Sequence, residues 1–308
     1  MKVKNKDKVG ILIQTFNDGE YLISAVESIL KQSHKNITIF ILDDGSNKVN
    51  QEKYLKFFMS NKKIKYIYTK NNGIIKASQK LLELAKKSKC EYFAKMDADD
   101  ISHPKRIETQ LRYLKKSKLD IVGCNFYRID KNNNIFEKNN CFFKNKNFYF
   151  NKLCVDSLFA HGSLFFKKEL IQKNIIKYQT SGKILFPEDY IMYTNMFFKA
   201  KIGCIDKYLY YHRYHPKSFS SKYKMKYKSG LRIKSKKFFF RNLDYFKKIN
   251  DNQQKMNVFE SIILIKIMLN FRFFEKWFLK KIIDGLNLKI ILLLFSFYIT
   301  RKLKKFFI

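Results

Sequence analysis

The stretch Tyr92-Phe93-Ala94-Lys95-Met96-Asp97-Ala98-Asp99-Asp100 sets a mostly apolar run directly against three carboxylates in four residues. Carboxylates this close repel one another unless a cation or strong donors compensate them, and a hard divalent ion is the economical compensation. Mg²⁺ or Mn²⁺, held by one or two carboxylates together with substrate phosphates, matches the habit of these ions. The same residues also read as an acidic surface turn ahead of a helix that begins at Pro104. A calcium loop is disfavoured, because its glycine and its distal glutamate are missing.

Upstream of this stretch, short apolar runs at residues 9–14, 37–42, 64–68 and 92–96 alternate with helical spacing at residues 21–30, 54–58 and 74–85. Alternation of this length predicts an α/β fold with a parallel, doubly wound sheet covered on both faces. Ligands of such sheets bind beyond the carboxyl ends of the strands. Four polar loops follow the four strands there: Thr15-Phe16-Asn17-Asp18, Asp43-Asp44-Gly45-Ser46, Lys70-Asn71-Asn72-Gly73 and Asp97-Ala98-Asp99-Asp100. A carboxylate at Asp43 or Asp44 can accept a hydrogen bond from a base N–H or a ribose hydroxyl, although the same residues also make a plain turn. Neither GxGxxG nor GxxxxGK[ST] occurs, so dinucleotide and P-loop folds lack their glycine signatures. Further on, residues 121–127 and 163–166 have strand character and residues 188–200 helical character.

The 308 residues carry 63 Lys and Arg against 26 Asp and Glu, a formal net charge of +37. Such a balance points to nucleic acid, an anionic membrane surface or an acidic substrate. A nucleic-acid module leaves the three acidic loops unexplained, since carboxylates at one sheet edge would repel phosphate. Membrane and diphosphate are therefore the expected partners. The five cysteines are widely spaced with no CxxC pair, which fits a reducing cytoplasm. Residues 1–8 are basic and lead straight into the first strand, without the apolar region a secretory signal needs. Beyond a boundary near Ser220 the chain turns basic and aromatic, with helices expected at residues 229–248, 256–283 and 288–305. The cleanest apolar run there, residues 290–299, would span only about 15 Å as a helix, against about 30 Å of hydrocarbon. Helices lying in an anionic interface are the expectation, with a helical cap or a contact with a second copy as the alternative.

The ordered set of motifs resembles glycosyltransferase family 2, with its GT-A nucleotide-sugar fold. The resemblance covers residues 9–221 and rests on Thr15 and Asn17, residues 28–33 (Ser-Ile-Leu-Lys-Gln-Ser) and Asp43-Asp44-Gly45-Ser46. It continues through residues 71–76 (Asn-Asn-Gly-Ile-Ile-Lys), the acidic stretch, Pro104 with Arg106 and Gln110, His161-Gly162-Ser163, Glu188-Asp189 and residues 211–220. It implies a mostly parallel, Rossmann-like central sheet in a catalytic domain over residues 1–221, with a C-terminal helical region over 222–308. Thr15, Asn17, Asp43, Asp44 and Lys76 would line the donor pocket, Asp97 would contact ribose or base, and Asp99 would bind Mn²⁺ or Mg²⁺. Asp189 would be the general base, though Pro187, Glu188 and Asp189 also suit the start of a helix. Arg213 is a candidate for the diphosphate, because its fork suits phosphate geometry. His161 and His215 read as ordinary polar contacts, but some related folds place a late histidine near the metal, which makes His215 a metal candidate. Gln14 stands where the family has proline, Phe16 where it has tyrosine and Gln79 where asparagine is common.

The implied activity is inverting transfer of a sugar from a nucleotide-diphosphate donor, UDP-hexose or UDP-N-acetylhexosamine, to a hydroxyl. The acceptor would be a bacterial surface glycan or a lipid-linked glycan, reached by an enzyme peripheral on the cytoplasmic face of the cell membrane. A non-catalytic basic module binding membrane or nucleic acid is the alternative. A nucleotide-sugar pyrophosphorylase would need a glycine-rich first loop, and a channel-forming synthase would need longer apolar segments.

Overall fold

A run such as Ile37–Asp43, buried at every position, belongs in a sheet with both faces covered. In the computed structural model, which describes residues 7–142, 157–178, 188–216 and 218, it is β2 of a nine-stranded mixed sheet. Its neighbours are β1 (Val9–Thr15) and β3 (Ile64–Tyr68), and β4 (Tyr92–Asp97) lies beyond β1, in the order β3-β2-β1-β4 and all parallel. The register sets Thr15 opposite Asp43 and Gln14 opposite Asp97, so the loops after β1, β2 and β4 leave the sheet at one level. The chain crosses from β1 to β2 on one side while β4 lies on the other, which is the switch point where α/β sheets open a crevice.

Helices α1 (Glu20–Leu30), α2 (Lys48–Phe58) and α3 (Ile74–Lys87) form these crossovers. In α3, Ile75, Ser78, Leu81, Leu82 and Ala85 recur at three- and four-residue spacing and are buried, the stripe that packs a helix on a sheet. Asn47 caps α2 by accepting from the Asn50 N–H.

Beyond β4 the sheet becomes mixed, where the sequence suggested a mostly parallel one. The expected strand at residues 163–166 is a 3₁₀ turn, His161–Ser163, followed by β8 (Phe165–Lys167). β8 lies antiparallel to both β4 and β6 (Ile121–Ile129). β9 (Ile202–Arg213) runs parallel to β6, and β5 (Ile101–Ser102) pairs with it antiparallel at the sheet edge. β7 (Ile135–Asn139) completes a hairpin with β6. Helices α4 (Arg106–Lys116), α5 (Glu169–Gln172) and α6 (Glu188–Lys199) follow β5, β8 and the undescribed residues 179–187. The domain boundary near Ser220 and the helices expected at residues 229–248, 256–283 and 288–305 lie outside the described residues. Among the described residues, no helix is long and apolar enough to cross a membrane.

Candidate active site

The loop after β1 is shaped by two departures from ordinary backbone. Asn17 has φ 60° and Gly19 φ 58°, the left-handed region in which Asn and Gly are the residues of choice. Asn17 is exposed, and its Oδ1 accepts from the Asn47 N–H at 2.8 Å and from Asn50 Nδ2 at 3.3 Å, which ties the first loop to the second. Thr15 is buried and donates from Oγ1 to Asp18 Oδ2 at 2.7 Å. Burial pushes the Asp18 carboxyl up to about 6, and the nearby Asp99 charge adds to the rise against the hydrogen bond from Thr15.

Asp43 and Asp44 are both buried but face different tasks. Asp43 accepts from the Ser46 N–H at 2.8 Å and from the Tyr66 hydroxyl at 2.5 Å. Asp44 spends one oxygen on the Asn72 N–H and the other on the Gly73 N–H, each at 2.9 Å, and so latches the third loop to the second. The sequence suggested a donor contact for Asp44, whereas both of its oxygens hold backbone. The latch needs close approach: a Cβ on Gly45 would lie 2.6 Å from the Asn71 nitrogen, and its φ is +87°. Lys76 stands exposed in the first turn of α3.

The three carboxylates of the acidic loop divide by burial. Asp100 is fully buried and accepts from the Tyr210 hydroxyl at 2.6 Å and from the Arg213 N–H at 2.7 Å. Burial and the charges of Asp99 and Asp97 hold its carboxyl well above the usual range. A buried acceptor without partners would cost about 1–3 kcal/mol, and β9 supplies both partners here. Below the loop, the fully buried Arg106 donates to the carbonyls of Lys95 at 2.7 Å and Gly162 at 2.8 Å, and to Gln110 Oε1 at 3.0 Å. Its guanidinium lies 4.8 Å from the centre of the Tyr210 ring. Ser28 and Gln32 brace the loop from behind: Ser28 Oγ accepts from the Ser102 N–H, and Gln32 donates to the His103 carbonyl at 2.8 Å while accepting from the Ile107 N–H.

Asp97 and Asp99 remain partly open, with side chains 35% and 22% exposed. His215 Nε2 lies 3.1 Å from Asp99 Oδ2, and Tyr21 packs against the imidazole with ring centroids 4.9 Å apart. The 3.1 Å separation is hydrogen-bond distance, and the Asp99 carboxylate and His215 imidazole are the groups that would serve a divalent cation as ligands here. Among the described residues no group of three or more His, Cys, Asp or Glu is placed to hold a metal without help. Two protein ligands with the remainder from substrate phosphates is the mode in which Mg²⁺ commonly binds.

Arg213 is placed differently from the expectation for a diphosphate ligand. It is buried, donates from Nε to the Asp99 carbonyl at 2.7 Å and from one terminal nitrogen to the carbonyls of Asp130 at 3.0 Å and Lys131 at 3.3 Å, and its guanidinium lies 4.9 Å from the Tyr21 ring centre. These contacts fix the acidic loop to the β6–β7 hairpin. Asp189 is the second residue of α6; its side chain lies outside what is described. The structure adds His161, whose Nδ1 stands 3.8 Å from Asp97 Oδ1. Its sequence signal was the His161-Gly162-Ser163 motif alone.

A family profile described as Glycosyl transferase family 2 matches residues 10–174. A bifunctional glycosyltransferase, pgtA, of Dictyostelium discoideum is 35% identical over 138 residues, which is 44% of this chain and 17% of that protein. The O-antigen biosynthesis glycosyltransferase WbnJ of Escherichia coli is 28% identical over 175 residues, 56% of this chain and 66% of that protein. The chain thus spans from 17% to 66% of the length of these curated relatives. Among solved structures, S. aureus TarS 1-349 in complex with UDP-GlcNAc has a TM-score of 0.56 at 16% identity, covering 85% of this chain and 71% of that one. At that identity the likeness is one of fold.

Proposed function

The chain belongs to glycosyl transferase family 2, and from that premise we propose that it transfers a sugar, with inversion, from a UDP-sugar to a hydroxyl of a bacterial surface or lipid-linked glycan. The observation that carries the proposal is the approach of His215 Nε2 to within 3.1 Å of Asp99 Oδ2, in a crevice also edged by Thr15, Asp43 and Asp97. Hexose or N-acetylhexosamine is the donor sugar on this reading, and the UDP-GlcNAc complex of TarS supports that choice.

Asp99 and His215 would hold Mn²⁺ or Mg²⁺, and such an ion would supply Lewis-acid stabilisation of the departing diphosphate. Asn17 and Lys76, which are exposed, border the nucleotide and Asp97 accepts from a donor hydroxyl, while Thr15 and Asp43, buried and already hydrogen-bonded, support the loops beneath. Asp44 and Arg213 act one step back, by holding the loops that present these groups. Asp189 takes the proton of the acceptor hydroxyl while that oxygen bonds to the anomeric carbon and the bond to the diphosphate oxygen breaks. With the base opposite the leaving group, displacement is direct and the configuration inverts. The basic residues of 222–308 favour a position at an anionic membrane surface on the cytoplasmic side.

A screen of UDP-, GDP- and dTDP-sugars with Mn²⁺ or Mg²⁺, read as nucleotide release with and without lipid-linked acceptor, tests this function. UDP release from one sugar nucleotide that requires the metal and rises with acceptor is expected. Release from none of them, with salt-dependent binding to a random oligonucleotide, would replace the proposal with the basic-module alternative.

A further inference from the structure

Asp97 and His161 face each other from different segments of the chain, β4 and the 3₁₀ turn before β8. Arg106 fixes their separation by gathering the carbonyls of Lys95 and Gly162, and Gly162 lets the turn come close. A Cβ at Gly162 would fall 2.8 Å from Asp97 Oδ2 and 1.8 Å from the Tyr210 hydroxyl, so no other residue fits without movement. The 3.8 Å between His161 Nδ1 and Asp97 Oδ1 is too long for a hydrogen bond. It does suit a single oxygen placed between them, which could donate to the carboxylate and accept from the ring. With side chains 18% and 35% exposed, neither group is fully closed off from solvent.

The tautomer follows from the neighbours. His161 Nε2 lies 2.7 Å from the Tyr178 hydroxyl, and the Tyr178 backbone N–H donates to Gln79 Oε1 of α3 at 3.0 Å. Burial and the nearby Lys95 charge hold the imidazole well below its usual range, so the ring is neutral with one N–H. The Asp97 carboxylate favours that proton on Nδ1, which leaves Nε2 to accept from Tyr178.

We propose that His161 Nδ1–H and Asp97 Oδ1 form a two-point subsite for one hydroxyl of the nucleotide sugar, on its ribose or on its sugar ring, with Tyr178 and Gln79 fixing the ring in the donating tautomer. The inference rests on the reading of Asp97 as a donor contact. It makes His161 a specificity-determining residue, because a site built to bind a hydroxyl from both sides rejects analogues that lack it.

Calorimetric titration of the full chain in Mn²⁺ tests the subsite, with UDP, 2′-deoxy-UDP, 3′-deoxy-UDP and UDP-GlcNAc as probes. His161→Ala should weaken the affected probe about three- to tenfold, the effect of one hydrogen bond. His161→Asn, which keeps an N–H near the Nδ1 position, should recover part of the loss. If the ribose is bound, UDP itself weakens and His161→Ala no longer distinguishes UDP from one deoxy analogue. If the sugar ring is bound, UDP is unchanged and only UDP-GlcNAc weakens. Tyr178→Phe should give a smaller loss that is absent on the His161→Ala background. His161→Ala binding UDP and UDP-GlcNAc within twofold of the native chain, while Asp97→Asn weakens them, would overturn the subsite alone. The same holds if His161→Asn binds no better than His161→Ala. Unchanged binding by Asp97→Asn, or no Mn²⁺-dependent binding of UDP by the native chain, would overturn the donor reading with it.

Discussion

Asp99→Asn should lower turnover about a thousandfold or more and remove its dependence on Mn²⁺. The substitution keeps the size of the side chain but removes the anionic oxygen 3.1 Å from His215 Nε2. Charge stabilisation of a leaving diphosphate by a metal is worth several kcal/mol, and each 1.36 kcal/mol is tenfold in rate. The fold should survive. The backbone of the loop is held through the Asp99 carbonyl by Arg213 and through Asp100 by Tyr210, neither of which uses the Asp99 carboxylate. Turnover within tenfold of the native chain, measured as nucleotide release at saturating donor, would remove Asp99 from the metal site.

Asp189→Asn should separate binding from chemistry. A positioned general base contributes roughly a hundred- to ten-thousandfold in rate, so turnover should fall by that factor while donor affinity stays within about threefold. Asp189 is the second residue of α6, where a carboxylate also favours the helix N-terminus by about 0.3–1 kcal/mol. A purely helical role would therefore appear as a slightly lower melting temperature with turnover unchanged. Single-turnover kinetics beside a thermal melt distinguishes the two outcomes.

How much of this was legible in the sequence depends on the range of the contacts involved. The parallel half of the sheet reads directly, because β1, β2 and β4 are continuous buried runs separated by helical spacing. The acidic loop reads for the same reason: its carboxylates are adjacent in the chain and follow a strand. β9 does not. Its apolar residues are interrupted by Asp206 and Lys207, which are exposed, and it runs beside β6 as the partner of the short β5. Without β9, neither the burial of Asp100 nor the use of Arg213 could be foreseen, since both depend on contacts across more than a hundred residues of sequence. Arg213 has the planar fork that suits phosphate, and that fork is turned to backbone carbonyls. Asp44 was similarly opaque, because its latch depends on the left-handed turns at Gly45 and Gly73 that bring two loops together. The contact of His215 Nε2 with Asp99 Oδ2, at 3.1 Å, likewise joins residues more than a hundred positions apart.

The most direct test of the central claim is a calorimetric titration of UDP-GlcNAc into the native chain, once with Mn²⁺ and once with chelator. The account predicts saturable binding with Mn²⁺ that is lost in chelator and lost again in Asp99→Asn with Mn²⁺ present. Binding of equal strength with and without the metal, or none in either condition, would contradict it.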